Sequence, residues 1–181
     1  MAGVLLDMAI SLDGFASGPD GGDAGLHDWY FDPSPASAPI IAELQSSIGA
    51  MIMGRTTYGD ASEQAETEDN PYPVPHFILT HRPPAEAAKD IVFVADGIES
   101  ALHQARAAAG ERLVCVAGGA ATARQFLAAG LIDEIQLHVV PALFGGGLRL
   151  FEQGSFERIG LELTRTVAAP NVTHLRYRVR R

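Results

Sequence analysis

The 181-residue chain contains a single cysteine, a single lysine and a single tryptophan. One cysteine cannot form an intrachain disulfide, which fits a reducing compartment and favours a cytoplasmic location. Cys115 stands in an apolar run, so we expect a small buried side chain there rather than a nucleophile. No hydrophobic run approaches the roughly 20 residues that a membrane-spanning helix requires. The N-terminus reaches Asp7 without a basic stretch, so a signal peptide is not predicted.

Charge narrows the class of partner further. The formal net charge is −9, which repels nucleic acids and anionic membranes, so the expected partner is a small molecule. Four arginines cluster at the C-terminus, and their alternation predicts one solvated face of a final strand (Arg176, Arg178, Arg180 and Arg181). The chain length fits one domain, residues 1–181.

Strand and helix patterns alternate through the middle of the chain. This alternation predicts an α/β protein with three α/β/α layers, in which a mostly parallel mixed sheet ends in an antiparallel hairpin at Pro170-Asn171. Predicted strands cover 4–10, 50–53, 76–80, 91–94, 112–117, 132–140, 158–168 and 172–180. Predicted helices cover 40–48, a segment from about Thr56, 97–109 and 120–129.

Two long segments read as loops. Residues 11–37 are rich in Gly, Asp and Pro, yet they include Trp29-Tyr30-Phe31. Long loops in compact domains are usually functional or disordered, and three adjacent aromatic residues favour a loop that packs back and borders a pocket. Residues 61–75 are acidic and proline-containing, which predicts a surface loop.

Two glycine-opened junctions carry the strongest functional signal. Gly54-Arg55-Thr56-Thr57 and Gly118-Gly119-Ala120-Ala121-Thr122 each join a predicted strand to a predicted helix. Free N–H groups and the helix dipole favour an anion there, and the hydroxyl and guanidinium groups add donors. Two phosphate-sized sites suggest a dinucleotide. The alternative is that the glycines serve only the turns.

A third segment, Thr80-His81-Arg82, follows a predicted strand at the end where open α/β sheets bind ligands. A cation and hydroxyl there suit a 2′-phosphate, so NADPH is the preferred cofactor. Asp96 is the alternative ligand, for a ribose diol, although it also fits the N-cap of helix 97–109. Arg82 is equally consistent with a solvated loop residue.

These residues together resemble a known family. The dihydrofolate reductase fold uses a Gly-Arg-x-Thr junction, a strand ending in Leu-Thr/Ser and a Gly-Gly helix start to hold NADPH. The closer resemblance is to its pyrimidine-reductase branch, the C-terminal half of the riboflavin-biosynthesis deaminase-reductase and its stand-alone relatives. Ser11-Leu12-Asp13-Gly14, and Asp133-Glu134 followed by Pro141 and Gly145-Gly146-Gly147, match that branch.

The resemblance implies roles at matching positions. The cofactor would contact Ala9, Ile10, Gly14, Phe15, Gly54, Arg55, Thr56, Thr57, Leu79, Thr80, His81, Arg82, Gly118, Gly119, Ala120, Ala121 and Thr122. Asp13 would be the carboxylate nearest the hydride and a candidate general acid. The substrate, a small cyclic C=N or C=O compound of pyrimidine or pterin type, would lie between Trp29-Tyr30 and the loop that contains Phe144. A homodimer formed through exposed strands is also implied.

The sequence lacks several features of the families that it resembles, and their absence narrows the range of expected substrates. The zinc ligands of the deaminase half are absent, and six scattered histidines without an H-E-x-x-H pair predict no metal site. His138 is expected to have a hydrogen-bonded core or pocket-edge role. Asp28 and Asp32 do not align with the folate-binding carboxylate, and no basic cluster suits a phosphoribosyl group. The sequence therefore favours a stand-alone reductase. A non-catalytic nucleotide-binding module and a hydrolase of a phosphate-rich substrate remain the alternatives.

Overall fold

A computed structural model describes residues 2–59, 71–87 and 89–180. The described chain forms ten strands and five helices, with these bounds: β1 Val4–Ser11, β2 Phe15–Ser17, α1 Asp28–Phe31, α2 Ala38–Ser47, β3 Ile48–Gly54, α3 Arg55–Tyr58, β4 His76–Leu79, β5 Ile91–Val94, α4 Ile98–Ala109, β6 Leu113–Val116, α5 Ala120–Ala128, β7 Glu134–Val140, β8 Leu148–Arg149, β9 Gly160–Ala169 and β10 Val172–Arg180. None of these helices is long and apolar enough to cross a membrane.

Eight strands form one mixed sheet in the order β5-β4-β3-β6-β1-β7-β10-β9. The six strands from β5 to β7 run parallel, whereas β10 is antiparallel to both β7 and β9. Strands β2 and β8 form a separate antiparallel pair. The predicted mostly parallel sheet with an antiparallel C-terminal hairpin is therefore confirmed.

Strand alternation places the core in two layers, one on each side of the sheet. On one face, Leu6 of β1 packs in a cluster with Ala101 of α4 and Phe126 of α5. On the other face, Leu5 joins Leu44 of α2. Both leucines are fully buried, which contributes roughly 1.5–3 kcal/mol each. Helices on both faces give the predicted three layers.

Local details differ from the sequence predictions. Segment 11–37 contains β2 and α1, so it is more ordered than a loop. The helix expected from Thr56 is a single turn, Arg55–Tyr58, and residues 60–70 lie outside the described residues. Only 71–75 of the predicted acidic loop can be compared. The N-cap prediction for Asp96 is wrong, because α4 begins after Gly97, whose φ of 96° suits glycine.

The C-terminal arginines are not one solvated face. The Arg176 side chain is only 12% exposed, and its Nε donates to Glu134 Oε2 at 2.6 Å. It also lies within 3.4 Å of Glu43 on α2, so the helix layer covers it. Arg178 and Arg180 are exposed as predicted, and Arg181 lies outside the described residues.

Candidate active site

The carboxyl ends of β4, β3, β6 and β1 lie side by side, because these strands are parallel neighbours. The motifs that follow the strands therefore meet at one edge of the sheet. Gly54 at the end of β3 pairs in register with Leu79 of β4. Its N–H donates to the carbonyl of Gly118 at 2.8 Å. The sheet thus joins the two glycine junctions, which are 64 residues apart in sequence, into one structure.

Both junctions lack space for a side chain. A Cβ on Gly54 would lie 2.9 Å from Thr122 Oγ1, and a Cβ on Gly119 would lie 2.9 Å from Thr57 Oγ1. Gly118 has a φ of 120°, a conformation that favours glycine. Helix α5 begins at Ala120 without a side-chain cap, so its first N–H groups have no intrahelical partner. Helix α3 has only four residues, so its dipole is weak and anion binding there would depend on side chains.

A cavity of about 780 Å³ extends from these junctions across the second face of the sheet. Eight of the predicted site residues line it: Ala9, Trp29, Tyr30, Thr56, Thr57, Gly118, Gly119 and Ala120. The 11–37 segment therefore does border a pocket. Trp29 is 3% exposed and anchors that segment.

The other predicted site residues lie around the cavity rather than on its wall. Gly54 and the buried Thr122 pack against each other between the two glycine junctions. Thr80 follows β4, and its Oγ1 accepts from the N–H of the exposed Arg82 at 3.1 Å. Phe144 packs beside Trp29 in an apolar cluster. The remainder flank these segments at the same edge: Ile10, Gly14, Phe15, Arg55, Leu79, His81 and Ala121.

The structure argues against Asp13 as the proton donor. Its carboxylate accepts hydrogen bonds from Ser11 Oγ at 2.6 Å and from the N–H groups of Phe144 and Gly145 at 3.1 and 2.8 Å. These contacts, led by that from Ser11, lower the pKa of Asp13 to about 2. Asp13 also does not line the cavity, so its carboxylate is poorly placed to give a proton to a substrate there. It holds the 143–147 loop against the 11–14 turn instead.

A different carboxylate, Asp7, lines the cavity. It lies in the middle of β1, two residues from Leu5 and Ala9, so all three side chains share one face of the sheet. Its Oδ1 is 2.9 Å from His138 Nε2. In the sequence, Asp7 interrupts the apolar run from Val4 to Ile10, and no functional role was predicted for it. A charged residue on the buried face of a central strand was the signal that could have found it.

His138 is 1% exposed and lines the cavity, as its predicted pocket-edge role requires. Its Nδ1 lies 2.6 Å from His174 Nδ1, and His174 Nε2 lies 3.0 Å from Ser37 Oγ. Burial is the main cause that lowers the pKa of His174 to about 4. The Trp29 ring stacks on His138 with 4.2 Å between centroids. We call this hydrogen-bonded series the polar chain; it consists of Asp7, His138, His174 and Ser37.

Two buried polar atoms among the described residues have no hydrogen-bond partner and belong to cavity-lining side chains, Trp29 Nε1 and Tyr58 Oη. Unpaired buried donors are costly, and a ligand in the cavity would satisfy them. Burial raises the pKa of Tyr72 and of the Cys115 thiol well above their ordinary values, so both line the cavity as neutral groups. Burial also lowers the pKa of His76.

Charge is distributed unevenly around the cavity. Its described lining includes Asp7, Asp23 and three histidines, but neither lysine nor arginine. Arg55 and Arg82 lie outside it, beside the glycine junctions at the ends of β3 and β4. Among the described residues no group of three or more His, Cys, Asp or Glu side chains is arranged to hold a metal ion. The arginines beside the glycine junctions thus lie next to the cavity and not on its described wall.

The sheet order, the joined glycine junctions and the adjoining cavity define a protein of the dihydrofolate reductase-like fold. Dihydrofolate reductase from Enterococcus faecalis, in complex with NADP(H), superposes with a TM-score of 0.66 over 100% of this chain and 99% of that chain, at 15% identity. The chain belongs to the RibD C-terminal domain family, which matches residues 2–175. Asp28 and Asp32 are exposed and do not line the cavity, whose described carboxylates are Asp7 and Asp23.

Three further proteins are similar to this chain. YyaP of Bacillus subtilis is 26% identical over 173 residues, which cover 90% of this chain and 87% of YyaP. A protein from Shewanella sp. PV-4, described as a riboflavin biosynthesis protein, has a TM-score of 0.76 and 25% identity, with full coverage of both chains. The Thermotoga maritima deaminase/5-amino-6-(5-phosphoribosylamino)uracil reductase has a TM-score of 0.70 and 16% identity, and the match covers 98% of this chain and 56% of that one.

Proposed function

We propose that this protein is an NADPH-dependent reductase that transfers a hydride to a small, flat C=N or C=O compound. The observation that carries the proposal is the pairing of the glycine junctions, joined by the Gly54–Gly118 hydrogen bond, with a cavity that begins at Gly118 and Gly119. One junction alone would suit any anion. Two junctions beside a largely apolar cavity suit a dinucleotide whose reactive end enters that cavity.

The residues present fit NADPH. The uncapped start of α5 offers free N–H groups to the pyrophosphate, and the absence of a Cβ at Gly119 keeps that surface open. Arg82 and Thr80 would hold the 2′-phosphate, and Arg55 would add charge beside the first junction. When bound, NADPH supplies the hydride, while the protein supplies position and a dry environment.

The hydride acceptor is proposed to carry no phosphate. The described lining of the cavity contains no lysine or arginine to pair with one, and the sequence of residues 60–70 contains neither type. A buried phosphate without a cation would be strongly disfavoured. Tyr58 Oη and Trp29 Nε1 instead provide single neutral donors. A ring of pyrimidine or pterin type with acceptor atoms suits this lining.

The first test is calorimetry with NADPH and NADH on the purified chain. We expect NADPH to bind at least about tenfold more tightly, a difference of about 1.4 kcal/mol. Arg82→Ala should remove that preference, whereas Arg178→Ala, an exposed arginine on β10, should retain it. Absence of heat with both coenzymes would refute the proposal.

The second test follows NADPH oxidation across pterins, pyrimidines and cyclic imines, each with and without a phosphate group. We expect turnover of a non-phosphorylated member and little turnover of its phosphorylated form. Faster turnover of the phosphorylated form would overturn the proposed acceptor class. Tight NADPH binding without turnover of any compound would favour the non-catalytic nucleotide-binding module.

A further inference from the structure

The polar chain connects the cavity to the protein surface without a gap. Asp7 and His138 line the cavity, whereas Ser37 at the other end contacts Ser34 Oγ at 3.1 Å. Ser34 is half-buried and so reaches solvent. The separations between successive heavy atoms, from Asp7 outward, are 2.9, 2.6 and 3.0 Å. All are hydrogen-bond distances.

One assignment of protons satisfies the whole chain. The Ser37 N–H donates to Ser34 Oγ at 3.2 Å, which leaves the Ser34 hydroxyl proton free to donate to Ser37. Ser37 then donates to His174 Nε2, and His174 Nδ1–H donates to His138 Nδ1. The remaining His138 proton, on Nε2, points at Asp7. Every side-chain donor in this arrangement is directed toward the cavity.

The close contact between the two imidazoles allows only one proton between their Nδ1 atoms. At 2.6 Å, only one of the two Nδ1 atoms can carry a proton. If His138 gains a second proton, its Nδ1–H must donate to His174, which then changes tautomer and donates from Nε2 to Ser37. An added proton therefore reverses the direction of the outer hydrogen bonds, which is what a relay requires.

We propose that Asp7, His138, His174 and Ser37 form a proton relay, in which Asp7 is the proton donor of the reaction; this rests on the proposed reductase function. Reduction of a C=N bond adds a hydride to carbon and moves the π electron pair to nitrogen, which needs one proton. As the electron pair moves to nitrogen, Asp7 takes the proton of His138 Nε2 and passes it to that nitrogen. The shift along His174 and Ser37 then restores the proton of His138, and the outer end of the polar chain takes one proton from solvent. His174 and Ser37 act through Asp7 and are positioning residues.

Other charged and titratable groups surround the chain and will affect its proton affinity. They come from β6, β9, β10, α1 and the segment after residue 70: Cys115, Arg165, Arg176, Tyr30 and Tyr72. Arg165 opposes an added proton on His174, whereas Cys115 and Tyr72 remain neutral at ordinary pH. Asp7 provides the negative charge that faces the imidazole pair.

The proton-sharing part can be tested on the full chain without cofactor or substrate. Long-range proton–nitrogen NMR spectra report the tautomer of each imidazole. Near neutral pH we expect His138 to carry its proton on Nε2 and His174 to carry its proton on Nδ1. On acidification both should change in a single step, together with the fluorescence of Trp29, the only tryptophan, which stacks on His138. An unchanged His174 tautomer through that step would overturn the relay.

The catalytic role of the relay is tested with whichever hydride acceptor is found among the pterins, pyrimidines and cyclic imines. Ser37→Ala should lower kcat about tenfold or more, within the range of acid–base contributions, leave NADPH affinity unchanged and raise the solvent isotope effect on kcat. Ser46→Ala, at an exposed serine on α2, the helix that follows Ser37, should change none of these. A purely structural role for Ser37 would alter stability without the isotope effect, and would refute the relay. If the wild-type chain reduces nothing, the reductase proposal fails, and the NMR result alone decides whether the imidazoles share a proton.

Discussion

The N–H of Gly54 lies 2.8 Å from the carbonyl oxygen of Gly118 and donates to it. This bond connects the end of β3 to the end of β6 and brings Thr122 within 2.9 Å of the position that a Gly54 side chain would occupy. The site therefore depends on backbone approach as much as on side chains. Substitutions that add one carbon atom here should therefore weaken binding of the proposed cofactor.

Gly54→Ala should weaken NADPH binding by about tenfold or more. The new Cβ collides with Thr122 Oγ1, so the first turn of α5 must move away from the first junction. Gly160→Ala is the matched control, because its Cβ would lie 3.5 Å from Arg180, an ordinary contact. Calorimetry on both variants measures the difference, and equal affinities would mean that the junctions do not hold the cofactor.

His174 should make stability depend on pH between about 6.5 and 4. Its pKa in the folded state is lowered to about 4. Within this pH range His174 is therefore protonated to a greater extent in the unfolded chain than in the folded chain. Stability therefore falls as the pH falls through that range. Urea unfolding at several pH values should show a smaller decline in His174→Asn. A decline as steep as that of the wild type would assign it to other groups, including His76, whose pKa is also lowered by burial.

Asp13 should contribute in a more acidic window with the same sign. Its pKa is lowered from 3.8 to about 2, so its stabilising effect is present above pH 4 and is lost as the pH falls toward 2. Asp13→Asn should lower the melting temperature at neutral pH and reduce its dependence on acid. The exposed Asp32→Asn serves as the control. Equal melting temperatures for Asp13→Asn and wild type at neutral pH would contradict the structural role given to this carboxylate.

Cys115 should be unreactive in the folded protein. It is 1% exposed, and burial raises its pKa well above the ordinary value, so little thiolate is available. Ellman's reagent should label it only as urea unfolds the chain. Cys115→Ser should cost about 1–3 kcal/mol of stability, because the hydroxyl is buried among apolar groups, and Cys115→Ala should cost less. Rapid labelling of the native protein would show that the cavity admits the reagent.

A homodimer remains a prediction, and the fold suggests which edge to test. Strand β9 is a sheet edge that exposes Leu161 and Leu163, at 40% and 55%. We expect sedimentation to show a dimer that Leu163→Arg dissociates. Val92→Arg on β5, at the opposite edge, is the comparison. A wild-type monomer, or a dimer lost only with Val92→Arg, would reject β9 as the contact.

Local patterns were enough to predict most of the elements. The strands from Val4, His76 and Ile91 carry short apolar runs bounded by Gly, Pro or charged residues, and their observed bounds agree within one or two residues. Helix α5 has a glycine pair before it and Gly130 after it. The family resemblance also held, since fold and family are both confirmed. The single-turn α3 and the missing Asp96 cap depended on tertiary context instead.

Some residues of the candidate site could also be predicted from local sequence, whereas others could not. Its glycine junctions were visible because a strand, a glycine and a hydroxyl-bearing helix start are neighbours in sequence. The polar chain was not visible, since Asp7, His138, His174 and Ser37 come from three strands and a residue before α2. The sequence also does not reveal that two loop N–H groups and Ser11 donate to the Asp13 carboxylate, an arrangement that favours a structural role over the predicted general-acid role.

Short-range chemistry in the chain therefore decided the strands, the helix starts, the acidic surface and the family. Folding decided which carboxylates line the cavity, which histidines are in contact, and that Arg55 and Arg82 lie beside the cavity and not on its described wall. The physical reason is strand register: pairing β1 with β7 and β7 with β10 sets Asp7 near His138 and His138 beside His174. No pattern within a single segment contains that information.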